Sequence, residues 1–141
     1  MKKKFSAIMP MIHLATNVDV PADFEARFLL FWRHKCQNVR LTDIMAVALN
    51  KPRETILVQV TAYARMIHAA TPGPCAHVWL KSMGHLDGHS NNIYAEKITT
   101  LINEMTGVPK NKTVIEFYDL HGDNIGFNGA TVTSNERKSQ K

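Results

Sequence analysis

With 141 residues, 45% of them apolar and 21% charged, the chain is one domain's worth of ordinary globular composition, long enough to bury a core. Its net charge of +5 is carried by Lys2, Lys3 and Lys4, by Arg33, Lys35 and Arg40, and by the tail at 136–141. The remaining body has 8 basic against 11 acidic residues and no apolar run near the ~20 residues of a membrane span, so neither nucleic acid nor membrane is an expected partner.

The chain opens on Lys2-Lys3-Lys4-Phe5-Ser6-Ala7-Ile8, which imitates the basic region of a signal peptide. The apolar segment behind it is broken by Pro10 and His13 and has no small-residue cleavage site, so export would have to bypass the classical signal route. Met11 to Asn17 then reads as a buried strand led by Pro10. A proline inside a chain has an inert tertiary amide nitrogen, whereas an N-terminal proline is a secondary amine and can act as a base. Pro21 suits the first turn of a helix with Asp19, Asp23 and Glu25 at its N-terminal end, and that helical reading stops at Lys51-Pro52.

A second strand is expected at 56–60, a loop at 71–74 and a third strand at 76–83, closed by Gly84. Ser90 is the expected cap of a helix that runs to Thr106 and stops at Gly107 and Pro109. A fourth strand is expected at 114–118, and 123–129 reads as a turn, a short strand and a second turn. One domain therefore spans 1–132. From Thr133 onward the sequence is polar with nothing to bury, and disorder is expected there.

Strand–helix–strand occurs twice, and the two units match in detail. The second helix is expected to bury Tyr94, Ile98, Leu101, Ile102 and Met105, one face at helical spacing. Leu41, Ile44, Met45, Ala48 and Pro52 repeat the spacing of Ile98, Leu101, Ile102, Met105 and Pro109. The partner of Tyr94 is then Phe24, thirteen residues too early. Deleting 28–40 closes the pattern, so the first helix carries an insertion there. Thirteen residues are not a whole number of helical turns, so this segment loops out, lengthens the helix at a cost in packing, or is absent from the natural protein.

Two such units give an α/β fold: duplicated βαβ units, a four-stranded mixed sheet and two helices on one face. The other sheet face is read as apolar too, from Ile12, Leu14, Val58, Val78 and Leu80, and burial by oligomerisation is expected. Cys36 and Cys75 sit in no metal or CxxC spacing; a disulfide framework is not expected, and a single bridge stays open. His77, His85 and His89 straddle a turn and fit no strong ligand motif, so no metal is expected. Trp79 and Trp32 need no role beyond packing.

Pro10-Met11, Thr16-Asn17, Asn50-Lys51-Pro52, Gly73-Pro74-Cys75-Ala76, Ser82-Met83-Gly84 and Tyr118-Asp119-Leu120 through Asn124-Ile125-Gly126-Phe127-Asn128-Gly129 together resemble the macrophage migration inhibitory factor and D-dopachrome tautomerase family. The resemblance covers Met9 to about Val132 apart from the insertion. It implies a tautomerase-type homotrimer with active sites between subunits, no cofactor, and an N-terminal proline, exposed by removal of a methionine, as catalytic base. Met9-Pro10 matches that start.

Lys51 stands at the family's pocket lysine, Met83 at the residue whose backbone amide helps hold substrate, and Ile125 and Phe127 at pocket-wall positions. Lys51 taken alone is a solvated lysine near a helix end, and the other three taken alone are core packing. Val114 and Glu116 replace a tyrosine and an asparagine of better-known members, and the CxxC redox motif has lost its second cysteine. The family implies phenylpyruvate- or dopachrome-type keto–enol tautomerisation of a small aromatic keto acid, with secreted, cytokine-like activity through a cell-surface receptor. It also implies a location outside the cell by a non-classical route and in the cytoplasm. The alternative is a receptor-binding trimer with weak or no catalysis, because a chain retaining residues 1–9 has no basic prolyl nitrogen.

Overall fold

The computed structural model describes residues 10–21 and 57–141. The expected first helix, the insertion at 28–40, the leader at 1–9 and Lys51 lie outside the described residues. Four strands form one sheet: β1 (Met11–Thr16), β2 (Leu57–Thr61), β3 (Ala76–Ser82) and β4 (Thr113–Asp119), in the order β2-β1-β3-β4. β1 runs parallel to β2 and antiparallel to β3, and β3 runs parallel to β4, so the expected mixed sheet is present. Each observed strand lies within one or two residues of its expected limits, the usual uncertainty of an element's ends.

Helix α1 (Gly88–Thr106) covers one face of this sheet. It buries Tyr94, Ile98, Leu101 and Ile102, with Met105 partly buried, as the helical spacing predicts. Fully burying an aliphatic or aromatic side chain of this size contributes roughly 1.5–3 kcal/mol, so this stripe is what docks the helix. Its cap is Asp87, not Ser90: the Asp87 backbone is extended (φ −151°, ψ 171°) and its carboxylate accepts from the Ser90 N–H at 2.7 Å. Ser90 lies inside the helix and adds a second bond, its hydroxyl donating to Asp87 Oδ2 at 3.2 Å. At the other end the Gly107 N–H closes the last turn on the Asn103 carbonyl.

Two expectations need correction. Ile12, Leu14, Val78 and Leu80 do not form a second, uncovered apolar face. They are buried with Ala76 against Tyr94, Ile98, Leu101 and Ile102, and Val58 packs partly buried on the same cluster. Successive strand residues point to opposite faces, so the open face carries the alternate set: His13, Gln59, His77, Trp79, Lys81, Val114, Glu116 and Tyr118. Trp79 is thus on this face and not in the core.

The second correction concerns the tail, which is helical: α2 spans Val132–Ser139. Its composition offers little to bury, but Val132 is buried and the Thr131 hydroxyl caps the first turn by accepting from the Ser134 N–H at 3.1 Å. Arg137 and Lys138 put positive charge at the C-terminal end, where the helix dipole favours it. The segment between β4 and α2 is a 3-10 turn (Gly122–Asn124) followed by a small hairpin of β5 (Gly126–Phe127) and β6 (Ala130–Thr131). Asn128 and Gly129 both have positive φ (53° and 78°), the turn that an Asn-Gly pair accommodates best.

Candidate active site

The sheet register decides which residues can meet. Met11 at the start of β1 pairs with Leu57 at the start of β2 and with Lys81 near the end of β3, and Ser82 pairs with Asp119 at the end of β4. Pro10, the start of β2, the Ser82-Met83-Gly84 turn and the exit from β4 therefore share one end of the sheet. Pro10 is half-buried, and its carbonyl accepts from the Leu57 N–H at 3.1 Å. In the 141-residue chain its nitrogen is acylated by Met9.

Met83 follows the last residue of β3, and the turn it begins is fastened from both sides. The Leu120 N–H donates to the Ser82 carbonyl at 2.8 Å, and the Gly84 N–H donates to Asp119 Oδ1 at 2.8 Å. Ile125 and Phe127 come from the segment that leaves β4 at this same end; Ile125 is buried, while Phe127 is 51% exposed. Pro10, Met83 and the 125–127 segment are thus brought to one end of one sheet, and Lys51 lies outside the described residues.

A depression of about 260 Å³ lies next to this end, on the open sheet face, lined by Met11, His13, Leu57, Gln59, Trp79 and Lys81 among others. Its described lining includes neither Pro10 nor Met83, Ile125 or Phe127.

The open face also holds a polar and aromatic array centred on Glu116. The Tyr118 hydroxyl donates to Glu116 Oε1 at 2.9 Å, and His77 Nε2 lies 2.6 Å from Glu116 Oε2. Hydrogen bonds from Tyr118 and His77, with a smaller one from Trp79, hold the Glu116 carboxyl below the usual glutamate range. The same Tyr118–Glu116 bond pushes the Tyr118 phenol up. Trp79 stacks on His13 with ring centroids 4.8 Å apart and meets the tilted His77 ring at 3.8 Å, and the Lys81 ammonium sits 5.5 Å from the Tyr118 ring centre. This array escaped the sequence reading. Its signal was the period-2 alternation of His77, Trp79 and Lys81 with Ala76, Val78 and Leu80.

Cys75 is a free, buried thiol whose main chain is tied to the first strand. Its N–H donates to Asn17 Oδ1 at 2.9 Å, and its carbonyl accepts from the Thr16 hydroxyl at 2.8 Å. Val78, at the position of the lost second cysteine, is fully buried in the core. These contacts give the Thr16-Asn17 and Gly73-Pro74-Cys75-Ala76 motifs a structural reason: the Thr16 and Asn17 side chains satisfy backbone groups of Gly73 and Cys75.

Comparison with known proteins gives one answer. The family described as macrophage migration inhibitory factor (MIF) matches residues 9–133. The MIF-like protein mif-2 of Caenorhabditis elegans is 38% identical over 133 residues, covering 92% of this chain and 100% of the relative. The macrophage migration inhibitory factor of Rattus norvegicus is 30% identical over 126 residues, covering 87% and 98% of the two chains. Among solved structures, the macrophage migration inhibitory factor of Trichinella spiralis superposes with a TM-score of 0.71 at 26% identity, covering 86% of this chain and 98% of that one.

Proposed function

The chain belongs to the macrophage migration inhibitory factor family, and from that premise we propose that it is a keto–enol tautomerase of the phenylpyruvate or dopachrome type. It works as a homotrimer, in a mature form that begins at Pro10. The observation that carries this reading is the boundary of the family match, which starts at Met9, directly before Pro10. Methionine before proline is readily trimmed, and its removal turns an acylated nitrogen into a secondary amine.

The chemistry follows from the environment. An ordinary α-amino group titrates near ~7.7–8.0, and an unperturbed prolyl amine is more basic. Apolar surroundings and a neighbouring ammonium both disfavour the protonated form of such an amine, and in this proposal Ile125 and Phe127 supply the first and Lys51 the second, so that Pro10 acts as the neutral base. The free amine takes the proton from the carbon next to the substrate carbonyl and returns it at oxygen, or runs the reverse. Atoms and charge balance, because the product is an isomer. Lys51 binds the carboxylate of a small aromatic keto acid as a point charge, the Met83 backbone amide adds a hydrogen bond, and Ile125 and Phe127 flank the ring.

A second reading, a cytokine-like trimer that engages a cell-surface receptor with weak catalysis, draws support from Glu116, whose ionised carboxylate replaces a neutral amide where the family meets anionic substrate. The protein acts outside the cell after non-classical export, and in the cytoplasm. An enol–keto assay on the chain beginning at Pro10 and on its Pro10→Gly variant tests the base. A loss of most of the rate in the variant is expected, and equal rates would sink the proposal.

A further inference from the structure

The helix α2 (Val132–Ser139) lies almost entirely beyond the family match, which ends at residue 133. It nevertheless bonds to two of the three described pocket positions and packs on a turn that the third also approaches. The Val132 N–H donates to the Ile125 carbonyl at 2.9 Å, and Asn135 Nδ2 donates to the Phe127 carbonyl at 2.8 Å. Met83 is approached indirectly, at Gly122. A Cβ built there would stand 2.6 Å from Thr133 Oγ1 and 3.2 Å from Met83 Cε, so a bare glycine lets α2 and the Met83 side chain close on the same turn.

The hairpin needs such help. β5 and β6 are two residues each, joined by Asn128-Gly129, and a two-stranded ribbon of that length is not stable alone. The Phe127 side chain is half exposed, so packing does not fix it either. What fixes its backbone is the Ala130 pairing on one side and Asn135 on the other.

We propose that α2 is a brace for the substrate-facing wall and that Asn135 is a positioning residue, holding Phe127 where an aromatic ring of the substrate packs against it. This rests on the tautomerase reading above. An ordered wall contributes equally to bound substrate and transition state, so its loss weakens binding and leaves the proton transfer alone.

The test has two arms. In the chain beginning at Pro10, Asn135→Ala is expected to raise KM for an aromatic enol substrate by about 2–10-fold, the range of one ordinary hydrogen bond, with kcat within about 2-fold of the parent. In the full 141-residue chain, the same substitution is expected to speed hydrogen exchange at the amides of 126–131 and to leave those of β3 unchanged. Both changes together support the inference. Faster exchange with an unchanged KM overturns the positioning role, and a raised KM without faster exchange overturns the route through the hairpin. Unchanged KM and unchanged exchange overturn both. A parent with no activity sinks the proposed function and the catalytic half of this inference, while exchange still decides whether α2 braces the hairpin.

Discussion

Glu116 illustrates how one residue alters a site. Tyr118 and His77 donate to its carboxylate, and these bonds hold its titration below the ordinary glutamate value of ~4.3. The folded chain therefore binds this proton less readily than the unfolded one. The stability that follows is present above the ordinary value and is lost as pH falls through the lower, folded one. Glu116→Gln is expected to flatten the acid limb of stability below about pH 4.3, read as urea midpoints across a pH series. An acid limb identical to the parent's contradicts the assignment. The glutamate itself was legible in the sequence as a departure from the family's asparagine. Its partners were not, because His77 is 39 residues away and reaches it only through the β3–β4 register.

Among the elements, α1 was expected to be capped by Ser90 and is capped by Asp87. Asp87 and Ser90 are both good caps three residues apart, and only the extended backbone at Asp87 settles which one closes the helix. The two make different predictions. Asp87→Ala removes the acceptor for the Ser90 N–H, whereas Ser90→Ala removes one hydroxyl and leaves that N–H bonded. Asp87→Ala is expected to lower Tm by about 2–5 °C and Ser90→Ala by less, and the reverse order contradicts the observed cap. The buried stripe of α1 was legible because helical period and apolar spacing agree. α2 was not legible, because its order comes from Thr131, Val132 and Asn135 fitting the hairpin and not from an apolar stripe of its own.

At the scale of the whole molecule, the internal repeat made the two parallel pairs, β1 with β2 and β3 with β4, readable, whereas the order β2-β1-β3-β4, with β1 and β3 antiparallel at the centre, comes from the structure. The assignment of faces was not, since buried strands with apolar residues on the core side and mixed residues on the other look uniformly strand-like along the chain. The open face bears Trp79, half-exposed Val114 and Tyr118, and ordered polar pairs, a surface suited to contact between copies. Light scattering is expected to give three times the chain mass of 15.9 kDa, and a monomer contradicts the trimer.

Base catalysis by Pro10 requires its nitrogen to be free. The most direct measurement compares initial keto–enol rates of the chain beginning at Pro10 with those of the chain beginning at Met1. A rate confined to the Pro10-initiated form is the predicted result. Equal rates from both forms would contradict it.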